Sequence, residues 1–192
     1  MRQSKIIQFL HALDAALVEY ANEGERLDLY LIGRAALILR YDLALATKDV
    51  DVVARTGPPD LEQKALELFG EGTSNAATWG LYLQAVPQGL PPIPQTYCTR
   101  SSALPGDWQV LRPMQPEAHD LAATKLKRFH AKDREDLQLL CDAGDLTPEG
   151  LQRALDSAYA FGADEEEDPG RKRASDNLRR VIGYLNGESR TL

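Results

Sequence analysis

Asp49 and Asp51 stand one residue apart in DVDVV, residues 49–53. In an extended segment alternate side chains leave opposite faces, so both carboxylates share one face and Val50 and Val52 take the other. Two carboxylates a few ångströms apart repel, and one of them holds its proton more tightly unless a cation sits between them. Mg²⁺ suits that gap, because it takes one or two carboxylates and completes its shell with phosphate oxygens and water. The same spacing also describes two solvated acids on an exposed strand, and Asp-x-Asp alone does not choose between the two. Upstream, LDLYLI over 27–32 ends at Gly33 and passes into RAALILRY. A glycine there lets the backbone approach a phosphate, and the following helix presents free N–H groups. A simple tight turn would ask for glycine as well. Taken together, strand, glycine turn, helix and Asp-x-Asp strand place phosphate-binding and metal-binding parts in one local unit, which points to a nucleotide site.

The elements that must position these residues follow from periodicity and punctuation. Ile6, Ile7, Leu10, Leu13 and Leu17 repeat at helical spacing over 4–22, with Ser4 as the expected N-cap. Residues 27–32 read as a buried strand, 34–41 as a short helix and 49–53 as a second strand stopped by Gly57-Pro58-Pro59. DLEQKALELF over 60–69 predicts a helix capped by Asp60. Residues 70–115 hold most of the prolines, including GLPPIP at 89–94; Trp79–Val86 and Gln109–Arg112 are the expected strands there. From Pro116 onward the pattern is helical: 117–129, 132–141 and 148–159, the last capped by Thr147 with Pro148 in first position. Asp164–Asp168, Pro169-Gly170 and Arg171-Lys172-Arg173 read as a solvated, mobile charge-block break, and 174–186 as a final amphipathic helix. The expected domains are an α/β core over 1–115 and a helical C-terminal part over 116–192.

Composition narrows the function classes. The chain has 192 residues, of which 43% are hydrophobic and 27% charged, enough to bury a core. Its net charge of -7 argues against a binder that attracts nucleic acid by bulk charge, without excluding a local basic site. No apolar run is long enough to cross a membrane, and the charged first helix does not resemble a signal peptide, so no membrane partner and a cytoplasmic location are expected. Cys98 and Cys141 have no paired spacing, and His11, His119 and His130 form neither HxxxH nor HExxH, so neither a disulfide framework nor a zinc site is expected. Trp79, Tyr82 and Tyr97 read as core or rim, although Tyr97 near Arg100 would also suit a substrate groove.

Two blocks carry a resemblance. LYLIGRAALIL followed by TKDVDVV resembles the opening of the nucleotidyltransferase fold of the DNA polymerase beta superfamily, where a glycine-led turn heads a helix and a Thr-x-Asp-hydrophobic-Asp strand follows. AHDLAATKLKRFHAKDREDLQLL, 118–140, resembles the downstream segment of bacterial minimal nucleotidyltransferases, including families near the abortive-infection toxins. The resemblance implies a mixed α/β sheet with flanking helices, a nucleoside triphosphate substrate, Mg²⁺ held by Asp49 and Asp51, and Gly33 against the phosphates. It matches Lys125 to a lysine that contacts those phosphates and Asp133 to a downstream acid, with Arg134 and Asp136 as flanking candidates. It also implies an RNA or protein acceptor, and a cognate antitoxin or neighbouring protein as partner. Beside that reading, Lys125 sits among apolar Leu121, Ala122, Leu126 and Phe129, where a lysine either snorkels at a core edge or enters a site.

Two departures matter. Arg34 follows Gly33 where the resembled enzymes carry a small residue, although a guanidinium can itself pair with phosphate. The slot for a third carboxylate falls near Gln84, a neutral amide, and nothing in the sequence brings Asp107 in to replace it. The sequence therefore supports two expectations: a Mg²⁺-dependent nucleotidyltransferase, as the toxin of a toxin–antitoxin or phage-defence system, or a weakened relative kept as a nucleotide-sensing or protein-binding module.

Overall fold

The computed structural model describes residues 2–43, 45–87, 89–160 and 168–192, with side chains throughout these except at 2–4, 54 and 55. The fold is mixed α/β, a five-stranded sheet flanked by helices, as the nucleotidyltransferase resemblance implies. The chain divides into two compact units, Met1–Pro87 with Ser101–Pro116, and Gln88–Arg100 with Glu117–Leu192.

The first unit opens with α1 (Arg2–Leu17), followed by β1 (Leu27–Leu31), α2 (Gly33–Tyr41) and β2 (Asp49–Thr56). Then come α3 (Pro59–Phe69), α4 (Ser74–Trp79) and β3 (Tyr82–Ala85), and after the excursion into the second unit, β4 (Ser102–Ala103) and β5 (Leu111–Gln115). The sheet order is β3-β2-β1-β5-β4. β1 is central and every one of its residues is buried, as expected of a strand covered on both faces. It runs antiparallel to β2 and parallel to β5, while β3 runs parallel to β2. The core of α1 is Ile6, Phe9, Leu10, Leu13 and Leu17.

Several boundaries differ from the sequence reading for physical reasons. The first helix already includes Arg2, so Ser4 is not its cap. Pro58 occupies the cap of α3, and Asp60 lies in its first turn, where a carboxylate favours the helix dipole. Trp79 ends a helix instead of starting a strand: Thr73 Oγ1 accepts the Ala76 N–H at 3.1 Å and caps SNAATW. The strand expected at 109–112 begins at Leu111 because buried Asp14 accepts the N–H groups of Gln109, Val110 and Leu111 at 2.9, 2.8 and 2.6 Å. A side chain thus takes the hydrogen bonds that a ladder would need there.

The second unit contains a single helical turn, α5 (Tyr97–Arg100), then α6 (Ala118–Leu126), α7 (Ala131–Asp142), α8 (Pro148–Ala158) and α9 (Pro169–Leu185). α6 stops short of Phe129, whose φ of +52° lies in the left-handed region. Thr147 caps α8 as its sequence predicts, accepting the Gly150 N–H at 3.1 Å. α9 starts earlier than expected, because Asp168 caps it by accepting the Gly170 N–H at 2.7 Å. Arg171, Lys172 and Arg173 are therefore helical and not a mobile break. The acidic run over 164–167 lies outside the described residues. Tyr97 is fully buried, which places it in the core and not in a groove.

Candidate functional site

β2 enters the sheet at Asp49, between β1 on one side and β3 on the other. The parallel register pairs Asp49 with Tyr82 and Asp51 with Gln84. Paired residues point to the same face, so the two acids, the phenol and the amide form one polar patch on the β2–β3 half of the sheet. Val50 and Val52 face the other way and are buried.

Each acid is held by a short local device. Thr47 Oγ1 lies 2.5 Å from Asp49 Oδ1 and 3.0 Å from the Asp49 carbonyl oxygen, so this hydroxyl fixes the aspartate where it meets the strand. The Asp51 carbonyl accepts the Ile32 N–H at 2.9 Å, which brings the start of α2 alongside it. Gly33 has a φ of +66°, and a Cβ built there would collide with the Asp51 carboxylate, lying 3.1 Å from its Cγ. Glycine is required here twice over, for the left-handed backbone and for the space. Ile32 offers α2 no side-chain cap. The helix thus begins with its N–H groups and positive dipole end beside an aspartate. Arg34, in the same first turn, is half-buried.

Tyr82 extends the patch. Burial, and then the charges of Asp49, Glu71 and Asp51, push its phenol above the usual value, so it stays protonated and able to donate at neutral pH. Sequence reading set Tyr82 aside as core or rim; only the strand register reveals that it stands beside Asp49. Thr47 was visible only as part of the resembled motif, and its distance to Asp49 gives it a positioning role. Gln84 is exposed next to Asp51, as the sequence reading of that slot has it, and Asp107 is exposed in the loop before β5.

The donor set suits Mg²⁺. Two carboxylates on one strand face leave most of an octahedral shell to water and phosphate, which is how Mg²⁺ is ordinarily bound. Among the described residues no group of three His, Cys, Asp or Glu converges, so a cation here would depend on its substrate for ligands.

The other predicted residues come together in the second unit. Lys125 Nζ lies 2.7 Å from Asp136 Oδ2, with side chains only 5% and 3% exposed. Asp133 accepts Arg128 Nε and Nη2 at 2.7 and 2.8 Å and the His130 N–H at 3.0 Å, closing a capping box with His130 at the start of α7. Burial alone would raise the Asp133 pKa, but Arg128 and the His130 amide outweigh it and hold the carboxyl below its usual value. Arg134 is half-buried one residue further along α7. The other candidates have local partners. His11 stacks on Trp108 with centroids 4.0 Å apart, and the His119 Nε2 accepts the Thr147 N–H at 3.0 Å. Burial pushes the Cys141 thiol up to about 11, which keeps it protonated at neutral pH and unsuited to nucleophilic attack.

A family model described as "Nucleotidyltransferase of unknown function (DUF6036)" matches residues 8–164. The chain belongs to this family. Searches among curated proteins and among solved structures gave no match. The matched part of this nucleotidyltransferase family member runs from α1 past α8 and takes in the glycine turn, the Asp-x-Asp strand and the Lys125–Asp136 segment; α9 lies beyond it.

Proposed function

We propose that the Asp49–Asp51 face binds a Mg²⁺-bound nucleoside triphosphate, and that the protein transfers the nucleotidyl group to an RNA or protein acceptor in the manner of the DNA polymerase beta superfamily it resembles. The observation that carries this reading is the missing Cβ of Gly33 against the Asp51 carboxylate. It sets the start of α2, to which Ile32 supplies no side-chain cap and whose dipole favours phosphate oxygens, next to two acids, which favour a cation. A triphosphate with its metal satisfies both, and neither half is satisfied by phosphate or by metal alone.

In the transfer, an acceptor oxygen forms a bond to the α-phosphorus as the bond from that phosphorus to the β-bridging oxygen breaks. Pyrophosphate leaves with the electron pair of the broken bond, and the acceptor hydroxyl gives up its proton to solvent water. Bound Mg²⁺ would supply charge neutralisation on the phosphates. The chain's own residues would do the rest. Asp49 and Asp51 hold the cation, with Thr47 orienting Asp49. The first N–H groups of α2 and the Arg34 guanidinium receive phosphate oxygens, and Tyr82 donates its O–H at the edge of the patch.

One observation favours a second reading. Gln84 occupies the position beside Asp51 where a third carboxylate would complete the patch, and an amide neither neutralises a second cation nor takes up a proton. The protein would then bind Mg-nucleotide as a sensing or protein-binding module and transfer slowly or not at all.

The test is equilibrium binding of MgATP and MgCTP to the full chain, followed by incubation of α-labelled nucleotide with total RNA and cell extract. The expected result is nucleotide binding that requires Mg²⁺ and vanishes in Asp49→Asn/Asp51→Asn, with label carried into a macromolecule by the native protein. Binding without label transfer selects the module. Nucleotide binding that survives the double change removes the assignment of this face.

A further inference from the structure

The proposed reaction needs an acceptor, and the second unit carries a surface whose charge runs against that of the whole chain. The chain has a net charge of -7. Yet α9 and its cap hold Arg171, Lys172, Arg173, Arg179 and Arg180 against two acids, Asp168 at the cap and Asp176, which pairs with Arg179 at 2.6 Å. Its buried side is Gly170, Ala174, Leu178 and Val181, and Lys172, Arg173, Arg179 and Arg180 are exposed. At 100° per residue, Arg173 and Arg180 share one flank of the helix, and Lys172 and Arg179 share its outward side.

That flank adjoins a second basic segment. Asn177 Nδ2 donates to the Leu126 carbonyl at 2.8 Å, and the Arg180 guanidinium carbon lies 6.0 Å from the Phe129 ring centroid. A Cβ on Gly170 would come within 2.8 Å of Lys127 Cε, so the start of α9 rests on the Lys127 stem. These contacts bring the turn between α6 and α7 against α9. The turn adds Lys127, Arg128, which is 65% exposed on its Asp133 partner, and exposed Lys132. Two segments far apart in sequence therefore build one cationic face, rich in arginine, along a helix about 25 Å long.

We propose that this face binds the sugar–phosphate backbone of a folded RNA, which serves as the acceptor. The inference rests on the nucleotidyltransferase reading for the acceptor role, though RNA binding itself does not. Cations strung along a helix and turn match an extended polyanion; a free nucleotide or phosphate would meet only one or two of them. Guanidinium groups dominate, and their planar forks pair with phosphate oxygens. Among the described residues, the large exposed hydrophobic ones, Val18, Tyr20 and Leu90, lie outside α9 and its neighbouring turn, so those two segments offer a lipid surface no apolar anchor. Because the chain as a whole is anionic, contact must be local and steeply dependent on salt.

The experiment measures fluorescence anisotropy of a labelled RNA hairpin with the full-length protein, without nucleotide, across a salt series. A DNA hairpin of the same sequence and anionic lipid vesicles run alongside. Arg173→Gln/Arg180→Gln is the test variant, with Arg173→Glu/Arg180→Glu as the stronger form. Native protein should bind RNA more tightly than DNA or vesicles, and the neutral variant should lose about tenfold in affinity with a log–log salt slope shallower by roughly 1.5. Thermal unfolding and MgATP binding should stay unchanged in that variant, which separates a lost contact from a lost fold. No RNA binding at low salt, equal RNA binding by the variants, or DNA or vesicles bound as tightly as RNA would overturn the proposal. If RNA binds as expected while MgATP does not, the nucleotide reading fails and the RNA face stands.

Discussion

The aspartates of α7, in the second unit, and those of β2, in the first, are held in different ways. In the second unit, Asp133 and Asp136 are each 2% exposed, and each meets a cation from the same helical layer, Arg128 and Lys125. In the first unit, Asp49 and Asp51 are half-buried on a strand face, where the Thr47 hydroxyl, the Ile32 amide and the bare backbone of Gly33 help to set their positions. A buried carboxylate matched to its own cation is a structural joint, because separating the pair leaves an uncompensated charge. Half-buried carboxylates that share a strand face remain within reach of a ligand. The contrast separates scaffold acids from candidate working acids more clearly than residue type does.

The strongest way to break the contrast is to remove Lys125. Lys125→Met would leave the Asp136 carboxylate buried without its ammonium partner, costing about 3–5 kcal/mol in urea unfolding. Lys125→Met/Asp136→Leu, which removes both charges, should regain most of that loss. The double variant also sharpens what the resemblance implies for Lys125. If its ammonium contributes to phosphate binding, the refolded double variant loses nucleotide affinity; if the pair is a joint alone, affinity stays at the native level.

Next in size is Gly33. Gly33→Ala combines a left-handed backbone with a methyl group driven into the Asp51 carboxylate, a cost of about 1–3 kcal/mol. Gly24→Ala is the matched control, since Gly24 also has a positive φ, +81°, but nothing lies within 4 Å of its added Cβ. Both variants should lose stability to backbone strain. Only the Gly33 variant should weaken Mg²⁺-dependent nucleotide binding, by at least about tenfold, or about 1.4 kcal/mol. Equal nucleotide affinity in the two would mean that the turn shapes the chain and not a site.

Much of this arrangement was legible in the sequence, and its gaps have physical causes. Strand alternation placed Asp49 and Asp51 on one face, and the run LDLYLI announced a strand covered on both sides. Gly33 was readable as a special position because a strand met a helix there. Tyr82 was not readable, because its importance comes from a parallel pairing with a strand more than thirty residues away, and no local pattern encodes register. Asp14 and Asp28 were missed for a similar reason. Asp14 lies within HALDAAL and Asp28 within LDLYLI, and each is buried against partners, the amides of 109–111 and Arg112, about eighty or more residues further along. The proline-rich stretch misled because proline density marks where regular structure is interrupted, not where it resumes.

The smallest expected effect concerns acid, and it probes the scaffold side of the contrast in both units. Burial would raise the Asp28 pKa, but Arg112 at 2.6–2.7 Å and the Thr56 hydroxyl at 2.7 Å outweigh it and lower the pKa below its ordinary value of 3.8. Asp133 is lowered in the same sense by Arg128. A lowered folded pKa means that the unfolded chain takes up the proton first. These two contributions are therefore complete above 3.8 and fade as the pH falls from there through the folded values. Asp120 runs the other way, because burial holds its pKa up even though Arg100 sits 2.5 Å away, so it gains relative stability as the pH drops toward 3.8. Urea unfolding at pH 7, 4 and 3 should show the steeper loss between 4 and 3. Arg112 is 53% exposed, and solvent screens its pairing, so Arg112→Gln should cost only about 1 kcal/mol at pH 7. It should also flatten the loss between pH 4 and 3, since the Asp28 pKa then moves back toward the unfolded value. An unchanged acid profile in that variant would leave Asp133 as the carrier of the effect and put the acid sensitivity in the helical unit.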